Sequence, residues 1–266
     1  MPGPDLHYLW ALGHGIMLAG AAYTILQTAL FRGAPPKIYR LSYTGALLSY
    51  AIVVVKSLGV PQASKTWARR AFADENVQYM LLALFWWISK PIGLTIIPFA
   101  TFSLFHCLTF LRTNIIPKFV PPAPPAVAGQ PRPPPAALQN VSNKIQLWVK
   151  GNYDSAMRFV AYTELAILAR TAVGAVFFTN SFITPLFLLH FIRLRYHASP
   201  FSRQAVAQVV SRLDGFILPR GGAIANTYLT AKRIVANWGG GRLMTQQPPA
   251  GQPAAAGAGA GAGARR

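Results

Sequence analysis

Residues 76–111 read NVQYMLLALFWWISKPIGLTIIPFATFSLFHCLTFL, and Lys90 is their one Lys, Arg, Asp or Glu. A helix crosses a hydrocarbon core of about 30 Å with about 20 apolar residues, so this run is too long for one crossing. SKPIG at 89–93 interrupts it near the middle. Pro91 has no amide proton to donate, and it pushes the residue before it out of helical geometry. The stretch reads as a hairpin of two helices, about 76–90 and 92–111. A soluble helical core would carry polar faces along such segments; here they are mostly missing.

Three further runs extend the pattern. Residues 8–31 hold no Lys, Arg, Asp or Glu, residues 41–60 hold Lys56, and residues 159–192 hold Glu164 and Arg170. The first two suit single crossings. The last is again too long and is broken by TNS at 179–181, a second hairpin. The fold class expected is all-α: a polytopic membrane protein with membrane hairpins.

Composition agrees. Of the 266 residues, 53% are hydrophobic and 12% charged, against about 25% charged in soluble domains. The net charge is nevertheless +19. An oily, basic chain suits a membrane with anionic lipid on one side. Nucleic acid is not expected as a partner, because the basic residues are dispersed around apolar runs without a recognition motif. MPGPDLHYLW, the opening ten residues, has no basic n-region, so no cleavable signal peptide is expected.

Positive charge marks cytoplasmic loops. With each pair of helices returning to its starting side, 61–75, 112–158 and 193–266 share nineteen Lys and Arg, and the opposite turns hold Arg32, Lys37, Arg40 and Lys90. Both termini are expected in the cytosol. At the end of the last run, FLLHFIRLRYHASP (187–200) turns basic and aromatic. Arg193, Arg195 and Tyr196 are expected among the cytosolic headgroups, where Tyr rings settle and Arg stems snorkel.

The expected organisation is an N-terminal membrane unit (1–118), a Pro-rich linker (119–140), a C-terminal membrane hairpin unit (141–198), cytosolic amphipathic helices (199–240) and a disordered Gly/Ala tail (241–266). In the fourth segment Val206, Val209, Val210, Leu213 and Ile217 recur at helical spacing with Arg212 opposite. After the Pro219–Gly222 break, Ile224, Tyr228, Ile234 and Trp238 resume the stripe, flanked by Lys232 and Arg233. Two placements are open for these helices: packed on the membrane domain, or laid in the bilayer interface with the cations selecting anionic lipid.

Catalytic constellations are missing. Asp74 and Glu75 are adjacent and read as residues opening a helix at its positive end. His7, His14, His106, His190 and His197 show no ligand spacing, so no metal or cofactor is expected. His106 and His190 read as buried, hydrogen-bonded side chains. GHG at 13–15 with Ala19 and Gly20 suggests a close helix contact. Glu164 and Arg170 are functional candidates as intramembrane charges, with mutual pairing or snorkelling as the plainer reading.

DENVQYMLLALFWWISKPIGLTIIPFATFSLFHCLTFLR (74–112) and MRFVAYTELAIL with ITPLFLLHFIRLRY (157–168 and 183–196) resemble the transmembrane protein 33 family. Pro98, Phe102, Ser103, Leu104, Phe105 and His106 fill one family block; Phe159, Ala161, Glu164, Pro185, Phe187, Leu194, Arg195 and Tyr196 fill the other. The resemblance implies a non-enzymatic integral protein of the endoplasmic reticulum and nuclear envelope. It implies association with reticulon-type shaping proteins and nuclear pore components, and a basic C-terminal region that meets curved membrane and an importin-type receptor. The alternative function class is a small transporter or lipid-handling membrane enzyme. A polar cavity, or acids and His at one depth, would distinguish it.

Overall fold

A computed structural model describes residues 5–119 and 137–239. Most of the expected Pro-rich linker and the Gly/Ala tail lie outside them. The chain divides into two compact units, Met1–Val209 and Val210–Arg266.

In the first unit, Asp5 caps α1 (Leu6–Ala29) by accepting a hydrogen bond from the His7 amide. α2 is Pro36–Leu58. Lys37 and Arg40 were expected in a turn before a helix starting near 41; they lie inside α2. Pro36 explains the early start, since its fixed φ suits the first helical position, where no amide partner is needed. α1 and α2 meet along a seam of small residues. A Cβ on Gly13 would lie 2.6 Å from the Gly45 carbonyl oxygen, and one on Gly45 would lie 2.5 Å from that of Gly13. Ser49 Oγ donates to the Trp10 carbonyl at 2.8 Å across the same seam. Lipid is as apolar as Leu, so close backbone approach and such hydrogen bonds hold membrane helices together.

α3 (Lys65–Ala73) was not foreseen in the 61–75 loop. Ser64 caps it through the Trp67 amide, and Trp67 Nε1 reaches back to the Leu58 carbonyl at 3.3 Å. Asp74 then caps α4 (Glu75–Ile88), accepting from Asn76 and Val77 amides at 2.8 and 3.1 Å. α5 runs Gly93–Phe119, eight residues beyond its expected end. It opens as a 3-10 turn and loosens into a π turn at Leu111–Ile115. Pro117 gives the reason: its ring clashes with the carbonyl four residues back, and a wider turn relieves the clash.

α6 is a single helix, Ala137–Val176, of 40 residues, about 60 Å at 1.5 Å per residue. The expected run from about 159 is only its second half, because 141–158 contains no proline to stop it. A turn capped by Asn180, whose Nδ2 donates to the Thr171 carbonyl at 3.0 Å, leads to α7 (Ile183–Ala198). α8 (Pro200–Ile217) carries the chain from the first unit into the second, where α9 is Gly222–Trp238.

Among the described residues four helices are long and apolar enough to cross a membrane: α1, α2, α5 and α6. The protein is multi-pass and all-helical among the described residues. α4 and α7 are shorter, at 14 and 16 residues, about 21 and 24 Å long. They pack against each other, with the Phe85 and Phe187 rings stacked 4.3 Å apart and Tyr79 edge-on to Phe191 at 5.3 Å. Around them Met17, Tyr43, Tyr50, Leu82, Trp86, Phe99, Ile167 and Leu188 form the core. Its polar centre is Thr95, on whose hydroxyl the Tyr39 and Tyr43 hydroxyls converge at 2.7 and 3.0 Å.

Candidate functional site: a charged cavity among the helices

α4 brings Glu75 and Tyr79 to one side because residues four apart share a helix face. α6 delivers Glu164 and α7 delivers Arg195 to the same place. Glu164 is 4% exposed and accepts a 2.7 Å hydrogen bond from the Tyr79 hydroxyl. The Arg195 guanidinium lies 5.1 Å from the centre of the Tyr79 ring, and its Nη1 lies 2.8 Å from Glu75 Oε2. Nε of Arg195, also buried, makes no hydrogen bond.

These groups line a partly open cavity of ≈ 370 Å³. Rings of Tyr50, Phe102, Phe105 and Tyr153 form much of its wall, with His106, Ser199 and Ser202 at its edges. Ser199 and Ser202 also shape the α7–α8 corner, where the Ser199 hydroxyl receives the Ser202 amide at 3.4 Å.

Two expectations are corrected here. Arg195 was placed among headgroups with Arg193 and Tyr196, but its side chain turns inward onto Glu75 and Tyr79, because position 195 falls on the α7 face that meets α4. Arg193 and Tyr196 are half-buried. Glu164 does not pair with Arg170; its partner is Tyr79, and Arg170 is exposed on α6. The sequence reading missed Glu75 and Tyr79 as site residues. The signal was present in their four-residue spacing, but Glu75 was read only as part of a helix start. The cap is Asp74 alone, which leaves Glu75 for Arg195.

The histidines behave differently. His14 is buried, accepts or donates at 3.0 Å to Ser103 Oγ, and lies 4.4 Å from the His106 ring. His190, expected to be buried, is exposed. Among the described residues no group of three or more His, Cys, Asp or Glu is placed to hold a metal ion.

On α8, Val206 packs against the core of the first unit. Val209, Val210 and Ile217 are half-buried, whereas Leu213 and Arg212 are exposed. On α9, Ile224, Arg233, Ile234 and Trp238 are exposed, and Phe216 on α8 and Leu229 on α9 add exposed apolar surface that the helical spacing did not single out. Tyr228 and Lys232 are committed to Asp214, at 2.8 and 2.7 Å. Lys232, expected to select anionic lipid, instead pins α9 to α8, because Asp214 is the one acid of these two helices. The Lys232 hydrogen bond holds the Asp214 carboxyl below the usual carboxylate range, and burial together with Asp214 pushes the Tyr228 phenol up to about 12.

Comparisons with known proteins converge. Tetra-spanning protein 1 of Schizosaccharomyces pombe is 30% identical over 91% of this chain and 88% of its own length. Nucleoporin POM33 of Chaetomium thermophilum is 30% identical over 81% of this chain and 79% of its own. Pore membrane protein of 33 kDa of Saccharomyces cerevisiae is 26% identical over 80% and 75%. No solved structure matches the chain. The family model described as transmembrane protein 33/nucleoporin POM33 matches residues 5–221, nearly all of the described helices, and the chain belongs to that family of pore-membrane proteins.

Proposed function

We propose that this protein organises the membranes of the tubular endoplasmic reticulum and nuclear envelope and supports the distribution or assembly of nuclear pore complexes. The observation that carries this reading is the pair of short arms, α4 and α7, packed side by side. Neither is long enough to cover a hydrocarbon core of about 30 Å, so each hairpin occupies one leaflet more than the other and acts as a wedge.

The hairpin tips support it. Phe31 and Phe178 have φ of 58° and 56°, a left-handed conformation that bulky side chains rarely adopt and that costs on the order of 1–3 kcal/mol. The two residues are 99% and 82% exposed. Aromatic rings held outward at strained turns, where Gly would be relaxed, suit contact with lipid or with another membrane protein. The exposed stripe of Ile224, Ile234 and Trp238 beside Arg233 suits an interfacial helix on anionic lipid.

In this reading both termini are cytosolic, following the nineteen-to-four bias of Lys and Arg. Reticulon-type proteins and pore components are its lateral partners, and an importin-type receptor meets its basic C-terminal region. The names of the relatives, a nucleoporin and a pore membrane protein, point the same way. Live imaging of the tagged full chain tests it. A nuclear rim with reticular tubules is expected; plasma-membrane signal would contradict it.

The charged cavity favours a second reading, a lipid-handling or transport protein. That reading requires Glu164→Gln to change lipid composition or solute flux while membrane shape and localisation stay as they are.

A further inference from the structure

The cavity carries charges of both signs, and one buried nitrogen of its cation is without a partner. Arg195 is the one Lys or Arg in its lining, and its side chain is 9% exposed, with Nη1 on Glu75 and Nε making no hydrogen bond. Glu164 is buried with a single donor, the Tyr79 hydroxyl. Glu75 reaches Arg195 with a side chain that is 52% exposed. Buried polar groups without partners are rare and call for an explanation.

A simple anion would satisfy Arg195 but face two carboxylates. A simple cation would satisfy the carboxylates but face Arg195. A compact group bearing both a phosphate and an ammonium answers both demands. We propose that the cavity binds the headgroup of a zwitterionic phospholipid, of the phosphocholine or phosphoethanolamine class. The phosphate takes the Nε–H of Arg195, shares its guanidinium with Glu75, and meets the hydroxyls of Ser199 and Ser202. The ammonium lies against Glu164 and the aromatic wall, where Tyr153 and Phe105 supply the ring faces that hold quaternary ammonium groups.

Placement favours a lipid over a soluble ester. Glu75 is the first residue of α4 and Arg195 lies in the last turn of α7. In the proposed topology both helix ends lie at the headgroup boundary, and the two side chains meet inside it, at the cavity. The volume of ≈ 370 Å³ is in the lower range of small-molecule sites, about 300–1,000 Å³, which suits a headgroup without its acyl chains. This inference depends on the membrane setting and not on the shaping role, so it stands or falls separately.

The test uses the full chain, delipidated in detergent and titrated with phosphatidylcholine, phosphatidylethanolamine or phosphatidylglycerol while bound lipid is counted by native mass spectrometry. One zwitterionic lipid should bind saturably, at least about tenfold tighter than phosphatidylglycerol, a difference of about 1.4 kcal/mol. Glu164→Gln should weaken zwitterionic binding about tenfold without weakening phosphatidylglycerol. Tyr153→Ala alters a half-exposed wall residue, so it should fold normally and weaken phosphatidylcholine most. Equal binding of all three lipids overturns the proposal. So does wild-type affinity in both variants, or binding of soluble phosphocholine without binding of lipid.

Discussion

Arg195 shows what a single side chain decides. Its position at the end of an apolar run, in R-L-R-Y, is the pattern of a snorkelling residue, and only the packing of α4 against α7 reveals that it points inward. Tyr79→Phe should cost about 1–3 kcal/mol, since it leaves the buried Glu164 carboxylate without its donor. Changing Glu164 to Gln as well should cost less than the two single changes added, because the two groups share one hydrogen bond; denaturation of the purified protein measures both. The α1–α2 seam makes a second residue-scale prediction. Gly45→Ala places a methyl group 2.5 Å from the Gly13 carbonyl oxygen and should destabilise by about 1–3 kcal/mol. Gly15→Ala, with nothing within 4 Å, should be harmless in the same melt. The sequence indicated a close contact near 13–20, but which glycines face the partner depends on where α2 lies. Period and composition alone do not carry that.

Elements were legible where a physical stop is written in the chain. SKPIG ends one arm and TNS another, and the two hairpins emerged from those breaks. Elements were illegible where the stop is absent. α6 continues through 141–158 because nothing there ends a helix, although its polarity looked like a loop. α3 was hidden because nine residues show little periodicity. The α8–α9 pair was legible as two amphipathic helices, but not as a hairpin fastened by Asp214. Its fastening sets a pH dependence. The carboxyl is depressed by Lys232, so its contribution is present above the ordinary carboxylate value of 3.8 and is lost as pH falls through the lower folded value. Spin labels on α8 and α9 should keep one sharp distance from pH 7 to pH 5 and broaden in stronger acid. Asp214→Asn should broaden the distance already at pH 7. The loss should be small, since an ion pair at the surface stabilises by about 0.2–1 kcal/mol.

At the scale of the whole molecule, the proposed topology has α1, α2, α4, α5, α6 and α7 enter the membrane and return the chain to the side on which it began. A glycosylation acceptor inserted in the turn between α1 and α2 should be modified in microsomes, while one placed after residue 240 should stay bare; modification of the second would reverse the orientation. In the proposed reading, the short arms and the exposed apolar stripe on α9 place more material in the cytosolic leaflet than in the other. Their shared consequence is preference for curved bilayer. It is measured most directly by reconstituting the fluorescent full chain into giant vesicles, pulling narrow tubes from them, and comparing protein density on tube and vesicle. Density on the tube should exceed that on the vesicle and rise as the tube narrows, and Ile224→Asp with Ile234→Asp should lower the rise. Equal density on tube and vesicle at every radius would contradict the account.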